Sequence, residues 1–316
     1  MDAKDIMDLL AEITLKTGYP VPVNKDALFK WAEPLKLPSN GDTYIYTGAL
    51  YQLIPYINYT VKYLELISEL PAGNSLINLV KKIVSISPYY LSSIIKPNIK
   101  EINESELILK NIAKILQNHV KGISYLYEDD IYSGVLLYDF GMDDYFSIHA
   151  HRVFEKFKLK NVRRVITVDP HTTHVLREGY PRYVDKFDIE VINYLELLDK
   201  ANINAEKLGN LIVTIHDPCY YSRYENIIDQ PRKLLKSMGI KINEAKRSGK
   251  NTFCCGGPLE SFSPKFSIDI AKMRMNQLIS ESNFIITMCP ICKANLSRVK
   301  PSNVKLIDIA EILSKF

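Results

Sequence analysis

The stretch Phe284-Ile285-Ile286-Thr287-Met288-Cys289-Pro290-Ile291-Cys292 decides how this 316-residue chain is read. Its first four residues are apolar or β-branched, the composition of a short buried strand. A compact two-thiol clamp follows directly at the strand end. The same arrangement stands earlier, at Val165-Ile166-Thr167-Val168-Asp169-Pro170-His171-Thr172-Thr173-His174, in a register set by Pro170 and Pro290, 120 residues apart. There the thiols are missing.

Two further echoes extend the match. Tyr132-Ser133-Gly134 stands where Cys254-Cys255-Gly256 would fall at a shift of 122 residues. Tyr46-Thr47-Gly48-Ala49 follows a strand-like run, as His216-Asp217-Pro218-Cys219 does. The chain therefore reads as two copies of one fold.

The segments between support an α/β class. Strands are predicted at Thr43–Thr47, Arg164–Val168, Glu190–Asn193, Leu211–Ile215 and Phe284–Thr287. Helices are predicted at Asp5–Thr17, Leu50 to about Leu66, 74–96, Glu104–Lys121, Asp143–Lys158, Tyr194–Lys200, Gln230–Met238 and Lys265–Glu281. A Pro-containing loop is predicted through Pro34, Pro38 and Gly41, and Ser87-Pro88 breaks or kinks 74–96. Alternation of strands and helices predicts parallel βαβ units. The expected domains are a helical lead over 1–40, a cysteine-free copy with a helical insertion over 41–203, and a cysteine-bearing copy over 204–316.

All five cysteines lie in the second copy: Cys219, Cys254, Cys255, Cys289 and Cys292. The pattern is C-x34-C-C-G-G-P-x30-C-P-I-C. Confinement of every thiol to 74 residues points to one thiolate-rich site rather than scattered core filler. Iron–sulfur clusters are held by Cys thiolates, commonly four per cubane. Four of the five would also suit tetrahedral Zn²⁺, although an adjacent pair is unusual for zinc. Cys289 and Cys292 alone would suit a redox dithiol, and inert buried thiols are the bland alternative. Gly256-Gly257 lets its loop turn tightly and brings amide groups toward sulfur. The carboxyl ends of parallel strands, where Cys219 and Cys289 stand, are where α/β sheets build their sites.

Charged residues make up 24% and apolar ones 47%, ordinary for a globular protein, and the net charge of +4 is spread rather than clustered. No basic tract argues for nucleic acid. Met1-Asp2-Ala3-Lys4-Asp5 carries no apolar leader and no run reaches bilayer-spanning length. The expected compartment is the cytoplasm, where thiols stay reduced. Neither a G-x-G-x-x-G after a strand nor a P-loop is present, and there is no ferredoxin C-x2-C-x2-C-x3-C-P run.

From His216-Asp217-Pro218-Cys219 through Asp229-Gln230-Pro231-Arg232, Phe253-Cys254-Cys255-Gly256-Gly257 and Cys289-Pro290-Ile291-Cys292, the chain resembles the CCG-domain family. These are the cysteine-rich domains of the B-type and D-type subunits of heterodisulfide reductase, and of iron–sulfur subunits of glycolate, D-lactate and glycerol-3-phosphate dehydrogenases. The resemblance implies a non-cubane [4Fe-4S] cluster bound by Cys219, Cys254, Cys255, Cys289 and Cys292. In the first copy Ala49, Tyr132, Ser133, Asp169 and Thr172 stand where thiols would be, which implies one cluster per chain. With one redox centre the chain is expected to work as a subunit. Its partners would be a C-type ferredoxin subunit and an A-type flavoprotein subunit, and its substrate a disulfide or thiol. An electron-transfer subunit of a flavin-dependent 2-hydroxy-acid or glycerol-3-phosphate dehydrogenase is the second reading, and a zinc-stabilised assembly subunit the third.

Weaker candidates complete the set. His171 and His174, beside Asp169, would share a helical face and suit either a metal or a vacated cluster site. His216-Asp217 is expected to order the Cys219 loop rather than do acid–base work. Arg223 and Arg232 suit an anionic cluster, a substrate carboxylate or simply the surface. The apolar segment 74–96 suits core, partner contact or a membrane surface.

Overall fold

The computed structural model describes residues 3–68, 92, 95–201, 207–260 and 263–314. Eight strands are described: β1 (Thr43–Tyr46), β2 (Ile123–Tyr125), β3 (Arg164–Thr167), β4 (Glu190–Asn193), β5 (Ile212–Ile215), β6 (Lys241–Ile242), β7 (Phe284–Thr287) and β8 (Lys305–Asp308). They form two four-stranded parallel sheets with the orders β2-β1-β3-β4 and β6-β5-β7-β8. The two orders are one pattern displaced by four strands. Parallel pairing requires crossover connections, and the alternating helices supply them. The α/β class with repeated parallel units is what the strand–helix alternation predicted.

The second sheet shows how sequence dictates the core. Thr214 pairs with Ile285 and Ile215 with Ile286 across β5 and β7. On the other side Phe284, Ile285, Ile286 and Thr287 pair with Lys305, Leu306, Ile307 and Asp308 of β8. Val213, Thr214, Ile215, Ile285, Ile286 and Thr287 are all buried. Strands covered on both faces read as continuous apolar runs, and that is why β5 and β7 were legible. β6 and β8 were not predicted: β6 is two residues long, and β8 places only Leu306 and Ile307 between Lys305 and Asp308.

Helices start and stop where their ends demand. Asn193 caps the helix Tyr194–Lys200 and Asp308 caps Ile309–Leu313, each with a reciprocal glutamate three residues on, Glu196 and Glu311. The two capping boxes stand at the ends of β4 and β8, equivalent strands of the two copies. The stretch expected as a Pro-containing loop differs from expectation. It holds a helix at Lys25–Phe29, capped by Asn24, and a 3-10 turn at Lys30–Leu35 with Pro34 inside it. A 3-10 turn has few interior N–H donors to lose to proline, so Pro34 does not break it.

By its contacts the chain forms two compact units. One comprises residues 1–106, 124–165 and 175–190; the other comprises 107–123, 166–174 and 191–316. The apolar segment 74–96 lies, apart from residues 92, 95 and 96, outside the described residues. Among the described residues no helix is long and apolar enough to cross a membrane.

Candidate metal centre

In the order β6-β5-β7-β8 the chain leaves β5 toward one edge and returns through β7 toward the other. The switch point falls between β5 and β7, and ligands of open α/β sheets bind outside the carboxyl ends of strands at such a point. Cys219 follows β5, Cys289 follows β7, and Cys254-Cys255 stands on the crossover that joins β6 to β7.

All five thiols are free of disulfides. Their thiols are electrostatically coupled in sequence: Cys219 with Cys254, Cys254 with Cys255, Cys255 with Cys292, and Cys292 with Cys289. Cys255, Cys289 and Cys292 are buried. Hydrogen bonds from Cys219 and Cys255 pull the Cys254 thiol down to about 2, the group on which the others converge. Its neighbours move the other way: the contact with Cys254 pushes Cys219 and Cys255 up, and contacts with Cys255 and Cys289 push Cys292 up. Burial opposes the Cys289 thiolate, but hydrogen bonds from Cys292 and His171 override it and bring that thiol down to about 5. Thiols this crowded cannot all ionise without a cation among them. The donor set thus fits a thiolate-ligated metal group.

Backbone amides face the sulfurs. Gly256 N–H donates to Cys254 Sγ at 3.3 Å, Gly257 N–H to Cys255 Sγ at 3.4 Å and Cys292 N–H to Cys289 Sγ at 3.5 Å. The glycines are required. Gly256 has φ +81°, and a Cβ there would lie 2.8 Å from the Ser267 carbonyl oxygen. A Cβ on Gly257 would lie 2.3 Å from Ile291 Cγ2. Asn295 Nδ2 donates to the Cys255 carbonyl at 2.7 Å and Ser267 Oγ to that of Gly256 at 2.8 Å, which fixes the loop.

The loop before Cys219 is tied down by Asp217. Its carboxylate accepts both Arg232 Nη1–H and Nη2–H, at 2.8 and 2.9 Å, and the Gly249 N–H at 2.7 Å. Its carbonyl accepts Thr252 Oγ–H at 2.9 Å. Arg232 also donates to Glu244, so its charge is spent on two carboxylates rather than on the thiols. Arg223 donates to the Thr252 carbonyl. Both arginines hold loops.

His216, expected with Asp217 to order the loop, stands beside the thiols. It is buried, its Nδ1 accepts Arg274 Nε–H at 3.0 Å, and its Nε2 has no hydrogen-bond partner among the described residues. A ring nitrogen of His216 lies within 4.8 Å of the sulfurs of Cys255 and Cys292. Burial, and then the Arg274 charge, hold its protonation well below the ordinary histidine range. Arg274 was missed in the sequence. The signal was its place on the core stripe of Pro264–Ile279, among Ser267, Ala271, Met275 and Leu278.

The residues standing for thiols in the first copy divide. Ala49, Tyr132 and Ser133 belong to one compact unit, Asp169 and Thr172 to the other. Asp169 caps the helix Pro170–His174 by accepting the N–H groups of His171 and Thr172, both at 2.9 Å. Burial raises its carboxyl to about 6. It makes the cap that Cys289 makes toward Cys292. His171 and His174 turn to different partners, the first to Cys289 and the second to Glu225 Oε1 at 2.6 Å.

The cysteines thus gather at the carboxyl-end switch point of a parallel α/β sheet. Residues 213–297 match the family model of the CCG cysteine-rich domain. The chain is 26% identical over 67% of its length to the probable iron-sulfur-binding oxidoreductase FadF of Bacillus subtilis, of which the match covers 32%. It is 30% identical over 51% of its length to the EtfAB:quinone oxidoreductase of Syntrophomonas wolfei, covering 25% of that protein. It is 26% identical over 52% of its length to the D-type subunit of the dihydromethanophenazine:CoB--CoM heterodisulfide reductase of Methanosarcina mazei, covering 44% of that protein. The matches span less than half the length of each of these relatives.

Proposed function

We propose that this chain is the iron–sulfur subunit of a heterodisulfide reductase-like redox complex, carrying one non-cubane [4Fe-4S] cluster on Cys219, Cys254, Cys255, Cys289 and Cys292. The observation that carries the reading is the gathering of five free, mutually coupled thiols at the switch point between β5 and β7. The relatives named as an iron–sulfur-binding oxidoreductase and as part of a heterodisulfide reductase support it.

When bound, such a group supplies reversible one-electron chemistry. The chain's own residues hold it. Cys254 and Cys255, joined by one peptide bond, present two sulfurs from one short backbone segment. The amides of Gly256, Gly257 and Cys292 stabilise negative charge on the thiolates. Burial of Cys255, Cys289 and Cys292 keeps water from one side. Cys219 and Cys254 are only partly buried and mark the open side, where a disulfide or thiol substrate would approach. Its partners would be a C-type ferredoxin subunit and an A-type flavoprotein subunit.

The second reading is electron transfer from a flavin-dependent dehydrogenase of a 2-hydroxy acid or glycerol 3-phosphate toward quinone; the relative named EtfAB:quinone oxidoreductase supports its quinone acceptor. Purification of the native complex separates the two. A ferredoxin-type and an A-type flavoprotein subunit are expected, with an electron paramagnetic resonance (EPR) signal that changes on adding a disulfide. A 2-hydroxy-acid flavoprotein in their place would overturn the first reading.

A further inference from the structure

Arg274 is a buried guanidinium with no carboxylate at ion-pair distance among the described residues. Nε–H goes to His216 Nδ1 at 3.0 Å, Nη1–H to the Arg247 carbonyl at 2.8 Å and to Gln277 Oε1 at 3.0 Å, and Nη2–H to Thr252 Oγ1 at 3.4 Å. Every acceptor is neutral. A buried charge without a counter-charge is costly. A thiolate-held cluster is anionic; against burial, the more distant Asp217 charge and then Cys292 and Cys255 favour the charged form of this guanidinium.

The orientation of His216 follows from Arg274. Arginine carries donors only, so the nitrogen facing Nε–H must be the lone-pair nitrogen. Nδ1 is therefore unprotonated, and the proton of the neutral ring is on Nε2. Nε2 is the buried nitrogen without a protein partner, in a ring set against Cys255 and Cys292. The three residues look like a metal-ligand triad by distance alone. A protonated Nε2 has no lone pair to offer a metal.

We propose that His216 is an N–H donor to cluster sulfur, held in the Nε2–H tautomer by Arg274 as a positioning residue, and that the pair raises the reduction potential of the cluster. The inference rests on the iron–sulfur reading above. Reduction adds negative charge to the cluster, so a fixed N–H dipole and a buried cation stabilise the reduced form more than the oxidised one. Hydrogen bonds to the sulfurs are a recognised determinant of such potentials. His216 and Arg274 also extend the row of donors begun by the Gly256, Gly257 and Cys292 amides, from the β5 side of the site.

The test uses the full chain in two states. In the metal-free chain labelled with ¹⁵N-histidine, His216 is expected as the Nε2–H tautomer, and Arg274→Met is expected to mix the tautomers. An Nδ1–H ring in the unmutated chain would overturn the proposal. In the iron-loaded chain, His216→Leu is expected to keep its iron and to lose about tenfold in the reduction equilibrium, roughly 59 mV for one electron. His216→Gln, whose amide N–H reaches the same place, is expected to recover part of that shift. An unchanged midpoint in both variants would overturn the proposal. So would loss of iron in both together with a strongly coupled nitrogen in the EPR of the unmutated chain, since that is the signature of a ligand. Should His216→Leu fail to fold, the glutamine variant and the tautomer still decide. Iron analysis of the unmutated chain stands apart: a chain without iron removes the cluster reading itself.

Discussion

Cys254-Cys255-Gly256-Gly257 and Tyr132-Ser133-Gly134-Val135 are the same turn built twice with different chemistry. Gly256 sits at φ 81°, ψ 0° and Gly134 at φ 83°, ψ 9°, each just before a helical turn. The carbonyl of the second residue is clamped in both, Cys255 by Asn295 Nδ2 at 2.7 Å and Ser133 by Tyr180 Oη–H at 3.1 Å. In the cysteine loop the amides face sulfur. In the other, Leu136 N–H donates to the Tyr132 hydroxyl at 2.7 Å, and the Tyr132 carbonyl accepts His149 Nε2–H at 2.6 Å. Phe146, Tyr132 and Tyr180 are fully buried around that loop. The turn is a property of the fold; the side chains set on it decide between a metal site and an aromatic core.

Substitutions at matched positions should separate the two loops. The largest effect is expected from Gly257→Ala, whose Cβ would overlap Ile291 Cγ2, beside Cys292, and so shift the cysteine loop; most bound iron should be lost. Cys255→Ser should likewise lose most iron, and full occupancy in that variant would remove Cys255 from the ligand set. Tyr132→Ala, in the other loop, should lower stability by about 3–5 kcal/mol in a denaturant titration and leave iron per folded chain unchanged. Iron loss there would mean that the two loops are not independent.

His149 gives a pH test of the aromatic loop. Burial holds its protonation down to about 4, from 6.5. The unfolded chain therefore binds the proton first, and stability from the neutral ring is present above pH 6.5 and lost as pH falls toward 4. Relative to His149→Gln, the unmutated chain should lose roughly 3 kcal/mol across that window. A flat difference would show that the ring is not held neutral. The smallest effect is expected from Tyr132→Phe, which leaves the half-buried Leu136 N–H without its acceptor at about 1 kcal/mol.

The cysteine loop was largely legible before the fold was known, because thiols are scarce and their spacing is informative. So was the duplication: β3 and β7 share Ile-Thr and a following proline in one register. The aromatic filling of the first copy was not legible, since a buried tyrosine reads like any other among twenty. Nor was the His216–Arg274 contact, which joins residues 58 apart through tertiary packing. An arginine on the apolar stripe of Pro264–Ile279 was the visible trace of it. The partners of Arg232 were hidden in the same way, because Asp217 and Glu244 reach it from loops before and after its own helix.

Iron and acid-labile sulfide counted per chain after anaerobic purification test the central claim most directly. One cluster on the second copy predicts about four of each per chain. It also predicts no change in either count when Ser133 and Tyr132 are replaced. About eight of each, or stoichiometric zinc without sulfide, would contradict it.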